Sequence, residues 1–147
     1  MPGARALELA PTQLRLRLQH VEQGAETDQL RQRIPWRGAT GTQAQITHGQ
    51  QIFESSEAGC IGCHNGEHFT NNQNADVGTG NPGETFQVPG LLGVAGRAPY
   101  MHDGCAATLN DRFDPTQATC NGGESHGHTA QLAASDVNDL ISYLETL

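Results

Sequence analysis

The sequence of 147 residues contains no lysine, and only 5% of its residues are aromatic. It also lacks any run of about 20 apolar residues, the length that a membrane-spanning helix needs. The sequence therefore predicts no transmembrane span. Eight arginines stand against sixteen acidic residues, which gives a net charge of −8. Nucleic acid and anionic membrane surfaces are not expected partners, because both are bound through many cationic contacts.

Apolar residues are also few, at 35% of the chain, while 18 glycines and 7 prolines favour loops over long regular elements. An ordinary apolar core in this chain would be thin. We therefore expect an additional source of stability, such as a covalent link or a bound prosthetic group.

Charge is distributed unevenly along the chain. Residues 1–37 contain six arginines and four acidic residues, a net charge of +2, whereas residues 38–147 contain two arginines and twelve acidic residues, a net charge of −10. We predict an N-terminal appendage or linker over 1–37 and one domain over 38–147. Leucines at every second position over 14–18 predict one strand in the appendage. No apolar segment of signal-peptide length follows Met1, so no leader is visible.

The most informative residues are Cys60-Ile61-Gly62-Cys63-His64, a Cys-x-x-Cys-His motif typical of covalent c-type haem attachment. Two thiols on one tight turn can add to the two vinyl groups of a haem, and the next histidine then binds the iron. A zinc site would need two more ligands at a workable spacing, and a thioredoxin-type pair belongs beside a βαβ unit. A disulfide between Cys60 and Cys63 would not require the histidine. The motif predicts one haem c attached through both cysteines, with His64 as an axial ligand.

Two amphipathic helices flank this motif in the sequence. Residues 44–55 place Ile46, Gly49 and Phe53 on one helical face. Residues 135–147 begin with Ser135, a plausible N-cap, and continue with an apolar stripe that has Tyr143 beside it. The stripe consists of Val137, Leu140, Ile141 and Leu144. Gly49 would let the two helices approach closely, with Phe53 against the second helix.

A six-coordinate haem needs a second axial ligand, and Met101 is the internal methionine available for it. The alternatives are His102, His126 and His128, or an iron that is open or bound to water. A thioether ligand predicts a relatively high reduction potential, a second histidine a lower one, and an open iron predicts reactivity with peroxide or small ligands.

Cys105 and Cys120 lie outside the haem motif and flank a turn-rich segment. We predict a disulfide between them, which would stabilise the fold by roughly 3 kcal/mol by closing a loop of about 15 residues; the alternative is two free thiols. A disulfide indicates an oxidising compartment. Covalent haem attachment in bacteria also takes place outside the cytoplasm. Both features predict a periplasmic or extracellular location.

The order of several short motifs resembles the C-terminal haem domain of the bacterial dihaem cytochrome c peroxidase and MauG-like superfamily. These are CIGCHNGEHFTNN, APYMHDG, a following TL, and a final DL-x-x-YL, which together cover about residues 44–147. The resemblance implies an all-α, loop-rich cytochrome c fold around one covalently bound haem. It also implies that Cys60 and Cys63 attach the haem and that His64 is the proximal ligand.

The sequence departs from that superfamily in two respects. Its peroxidases use two haems, whereas this chain has one attachment motif and cannot run that chemistry alone. The position of the superfamily's distal ligand falls on Thr116, a poor ligand for iron, which favours Met101 and leaves His126 open. Arg97, just before the APY sequence, is a candidate partner for a haem propionate or a solvated side chain.

We therefore expect a periplasmic monohaem c-type cytochrome domain that transfers single electrons, with His64 and Met101 as axial ligands. Its expected partners are redox proteins or another domain of the same polypeptide. One alternative is an enzyme, the haem half of a dihaem peroxidase or oxidase whose other haem domain lies elsewhere. A further alternative is a non-haem metal or structural module.

Overall fold

The structure, a computed structural model, describes residues 38–117, 120 and 123–147. The predicted appendage over 1–37, with its strand, lies outside the described residues. Over the described range, none of the helices is long and apolar enough to cross a membrane. The elements, in chain order, are helix α1 (Gln43–Glu54), a 3₁₀ turn (Cys60–Gly62), strands β1 (Asn74–Ala75) and β2 (Phe86–Gln87), a second 3₁₀ turn (Val94–Gly96), helix α2 (Leu109–Phe113), a third 3₁₀ turn (Gly123–His126) and helix α3 (Ala134–Leu144).

Helix α1 confirms the helix predicted over 44–55, with a start and an end one residue earlier. Thr42 and Gln45 form a reciprocal capping box at its N-terminus. The Thr42 amide donates to the Gln45 side-chain oxygen at 3.0 Å, and the Gln45 amide donates to the Thr42 hydroxyl at 3.4 Å. Two backbone N–H groups that have no partner inside the helix are thereby satisfied.

Helix α3 confirms the C-terminal helix, but the prediction that Ser135 caps it was wrong. The cap is Ala133, whose extended backbone precedes the helix without a side-chain cap. The Ala133 carbonyl already accepts hydrogen bonds from the amides of Asp136 and Val137, at 2.9 and 3.1 Å. Ser135 therefore lies within the first turn, where Asp136 adds a negative charge that favours the helix N-terminus.

The close approach predicted at Gly49 is present where α1 crosses α3. A Cβ atom at this position would lie 1.9 Å from the Asp139 carbonyl oxygen, so only glycine fits. One turn further along, the rings of Phe53 and Tyr143 lie 5.5 Å apart. The two helices provide most of the apolar core of the described residues, which consists of Phe53, Val94, Leu109, Leu140, Ile141, Tyr143 and Leu144.

A small sheet qualifies the expectation of an all-α fold. Strands β1 and β2 pair antiparallel, with Asn74 opposite Gln87 and Ala75 opposite Phe86. The chain between them is rich in glycine and returns on itself, so the two short segments satisfy each other's backbone groups. The fold is helix-rich with long loops.

The predicted disulfide between Cys105 and Cys120 is present, with Cα atoms 5.8 Å apart. Cys120 is buried. The bond ties the segment before α2 to the segment that leads into the third 3₁₀ turn. The disulfide therefore links the segment that follows Met101 to the segment that precedes His126.

Candidate functional site

The two cysteines of the attachment motif lie on one tight turn. Gly59 starts the turn with a left-handed backbone, at φ 71°, a conformation that favours glycine. The Cys60 carbonyl accepts hydrogen bonds from the amides of Cys63 and His64, at 3.3 and 2.9 Å. Neither cysteine forms a disulfide. The turn therefore presents two free thiols and one imidazole within five consecutive residues.

The His64 ring is oriented by the backbone. Its Nδ1 atom lies 3.1 Å from the Phe69 carbonyl oxygen, which can only accept a hydrogen bond. Nδ1 must therefore carry the proton, and Nε2 keeps a lone pair that can bind a metal. Burial lowers the pKa of His64, which favours the neutral form that a metal ligand needs. Phe69 is itself held, since its ring packs edge-on against Phe53 at 6.0 Å.

This donor set fits a haem c and does not fit a bare metal ion. Among the residues that the structure describes, no group of three or more His, Cys, Asp or Glu side chains could hold a metal. Burial also raises the pKa of the Cys60 thiol, with the charge of Arg112 acting in the opposite direction. A protonated thiol is a poor metal ligand, since thiolates bind metals. Two thiols and an adjacent neutral imidazole match the needs of a covalently attached haem.

His126 lies near His64, at the end of the third 3₁₀ turn. The two ring centroids are 6.5 Å apart and the ring planes are inclined by 33°. The Nδ1 atom of His126 is buried and has no hydrogen-bond partner among the described residues. Burial, with the nearby charges of Arg112 and His64, lowers the pKa of His126 to about 3, so its ring is neutral at physiological pH.

Arg112, on helix α2, is a buried cation that the sequence analysis did not single out. Its side chain donates to the His126 carbonyl oxygen at 2.7 Å, and its guanidinium carbon lies 4.9 Å from the Phe113 ring centroid. No carboxylate of the described part of the chain forms an ion pair with it. Burial lowers its pKa to about 10. In the sequence, Arg112 stands out only as an arginine between Leu109 and Phe113. That position alone does not indicate that its side chain is buried.

The remaining predicted ligand candidates have different surroundings. His102 is exposed, stacks on Phe86 with ring centroids 4.1 Å apart, and forms a hydrogen bond of 3.1 Å with the Thr79 hydroxyl. His128 is also exposed. Met101 is half-buried and has a left-handed backbone, with φ 71°.

Arg97, the predicted candidate partner of a haem propionate, is exposed and donates to the Gly90 carbonyl oxygen. One of the hydrogen-bond donors of its guanidinium therefore already has a backbone partner. Arg112 is the more deeply buried cation of the two.

The fold and the Cys60–His64 turn are those of a haem-binding electron-transport domain. The chain belongs to the cytochrome c family, whose model matches residues 46–147. Membership implies a covalently bound haem c.

Two curated proteins are similar to this chain. It is 31% identical to hydrazine synthase subunit gamma of Kuenenia stuttgartiensis, over 77% of this chain and 44% of that protein. It is 29% identical to the methylamine utilization protein MauG of Methylorubrum extorquens, over 71% of this chain and 35% of that protein. The relationship to the MauG-like superfamily is thereby confirmed. The chain spans less than half the length of either relative.

A solved structure supports the fold. The chain is similar to a structure of Kuenenia stuttgartiensis hydrazine synthase pressurised with 20 bar xenon, with a TM-score of 0.63 and 30% identity. The similarity covers 77% of this chain and 49% of that one. The predicted cytochrome c fold is confirmed.

Proposed function

We propose that this chain is a c-type cytochrome domain that transfers single electrons. One haem is attached through Cys60 and Cys63, and His64 is its proximal ligand. The proposal rests on the arrangement of the thiols and the imidazole in the Cys60–His64 turn. Two free thiols lie beside an imidazole whose Nδ1 is held by the Phe69 carbonyl at 3.1 Å, which leaves Nε2 for iron.

The haem supplies the redox-active iron, and the protein supplies attachment, orientation and electrostatics. The Phe69 carbonyl fixes the His64 tautomer and increases the basicity of its free nitrogen. The Phe69 ring packs against Phe53 with ring centroids 6.0 Å apart, which helps to hold the carbonyl that binds His64. Arg112 adds a buried positive charge close to Cys60, His64 and His126.

The domain is proposed to work in the periplasm or outside the cell. The Cys105–Cys120 disulfide supports an oxidising compartment. Its partners would be redox proteins or another domain of the same polypeptide, which meet it through a small transient interface. Ile61 lies between the two attachment cysteines and is 42% exposed, so it offers a partner an apolar contact beside the attachment turn.

A second candidate function is the haem half of a dihaem peroxidase or oxidase whose other haem domain lies elsewhere. It is favoured by the similarity to MauG and hydrazine synthase subunit gamma, of which this chain matches only 35% and 44%. In this case the domain would exchange electrons with a second haem domain.

A redox titration combined with a peroxide challenge separates these functions. An electron carrier is expected to show one Nernstian transition of one electron, low-spin spectra in both oxidation states and no oxidation by peroxide on the millisecond timescale. Rapid reaction of the ferrous or ferric protein with peroxide, together with a high-spin spectrum, would instead support the enzyme.

A further inference from the structure

We propose that His126 is the distal ligand of the iron, on the side opposite His64, so that the haem has two histidine ligands. This inference rests on the proposed attachment of a haem at Cys60 and Cys63. It replaces Met101, the ligand that the sequence predicts, with a residue from the third 3₁₀ turn.

The separation of the two rings matches the requirement of a shared metal. A metal–imidazole bond of about 2.0 to 2.1 Å, plus about 1.2 Å from the bonded nitrogen to the ring centroid, places two opposed imidazoles about 6.5 Å apart. The centroids of His64 and His126 are 6.5 Å apart. Direct stacking would bring the rings closer together, as it does for Phe86 and His102 at 4.1 Å.

The chemical state of His126 also suits an iron ligand. Buried polar atoms normally have a hydrogen-bond partner, and each exception requires an explanation such as a bound ion. Among the described residues, Nδ1 of His126 has no partner. The missing partner is explained if iron binds at Nδ1 itself, whereas binding through Nε2 would leave Nδ1 without a partner.

The backbone around His126 is fixed relative to the attachment turn. The His128 amide donates to the Ala58 carbonyl at 3.0 Å, two residues before Cys60. Gly127 has φ +80°, and a Cβ there would lie 3.1 Å from the same carbonyl oxygen. On the other side, Arg112 binds the His126 carbonyl at 2.7 Å. These contacts hold the backbone around His126, and none of them uses its imidazole.

The competing residues lack this combination. His102 already contacts Phe86 and Thr79 on an exposed face. Met101 is not among the partly buried apolar residues that pack against the core, although its neighbour Tyr100 is. The Met101 side chain would therefore have to move towards His64 before its sulfur could bind the same iron.

The test uses the full chain after haem attachment in a bacterium with a cytochrome c maturation system. We expect the ferric wild-type protein to be low-spin and to lack the near-infrared charge-transfer band of a sulfur-ligated haem. His126→Ala is expected to lose the low-spin spectrum, and added imidazole should restore it. Met101→Ala and His128→Ala, the matched controls, should leave the spectrum unchanged.

A further variant protects the test against misfolding. His126→Met places a thioether where the imidazole was, and near-infrared magnetic circular dichroism should then detect a sulfur ligand that the wild type lacks. A sulfur band in the wild-type protein that disappears in Met101→Ala would overturn the proposal, as would an unchanged low-spin spectrum in His126→Ala.

The proposed function and this ligand assignment fail in different ways. The intact mass of each variant shows whether the haem is attached. A chain without the added haem would contradict the proposed function itself, whereas a haem-bearing chain with a sulfur ligand would contradict only the role of His126.

Discussion

At the scale of single residues, Arg112 is the least expected feature of the site. It is 9% exposed, and its charge acts on Cys60, His64 and His126. Among the described residues Arg112 has no anionic partner, and a buried cation is costly when it has lost its hydration without gaining one. Next to a redox centre the same charge has a function, since it disfavours the more positive oxidised state. Arg112 is therefore expected to raise the reduction potential.

Replacing Arg112 by Gln should lower the reduction potential. By Coulomb's law, a unit charge acting across about 10 Å at an effective dielectric constant of about 20 to 40 contributes roughly 0.8 to 1.7 kcal/mol. For one electron this corresponds to about 35 to 70 mV. Spectroelectrochemical titration measures the shift, and the exposed Arg97→Gln serves as the control with a smaller change. A potential that is unchanged or higher in Arg112→Gln would contradict this role.

The residues that we propose to hold the haem could be identified from the sequence because their motif is local. Cys60, Cys63 and His64 lie within five consecutive residues on one turn, and this spacing is typical of haem attachment. The sequence offered His126 only as one of several alternative ligands, and it did not single out Arg112. Arg112 is separated from His64 by 48 positions and His126 by 62, so their approach depends on how α2 and the third 3₁₀ turn fold back.

At the scale of elements, the crossing of α1 and α3 forms the frame that holds the motif. Gly49 permits the crossing, because its missing side chain leaves room for the Asp139 carbonyl. The sequence predicted both helices and this contact from the apolar periodicity and the glycine. The prediction placed the N-cap of α3 at Ser135. A serine can act as an N-cap only if its own backbone is non-helical, and here that residue is Ala133. The strands β1 and β2 gave no periodic signal, since each has two residues.

Replacing Gly49 by Ala should destabilise the domain by about 1 to 2 kcal/mol. Alanine gains about 1 kcal/mol over glycine in a helix, but overpacking a close contact costs typically about 1 to 3 kcal/mol and occasionally more. Here the new Cβ would lie 1.9 Å from a backbone oxygen, so the helices would have to separate. Urea unfolding followed by circular dichroism gives the change in the free energy of unfolding.

Gln51→Ala is the matched control, because Gln51 is exposed on the same helix and has no such contact. It should leave the free energy of unfolding nearly unchanged or slightly raised. Equal stability of Gly49→Ala and Gln51→Ala would show that α1 and α3 do not pack as closely as described.

At the scale of the whole molecule, the chain provides one haem attachment motif and a small frame around it. Its match to hydrazine synthase subunit gamma extends over 44% of that protein, and its match to MauG over 35%. The order of motifs along the sequence was sufficient to predict the cytochrome c fold. The predicted division at residue 37 remains a prediction, because the appendage lies outside the described residues.

The most direct measurement of the central claim is the intact mass of the protein after maturation in a bacterium that attaches haem to cytochromes. We expect the mass of the polypeptide plus one haem, which stays attached in acid and organic solvent and is lost when Cys60 and Cys63 are both replaced by alanine. A wild-type protein with the mass of the bare polypeptide, obtained from cells that mature another cytochrome c normally, would show that the chain does not bind haem covalently.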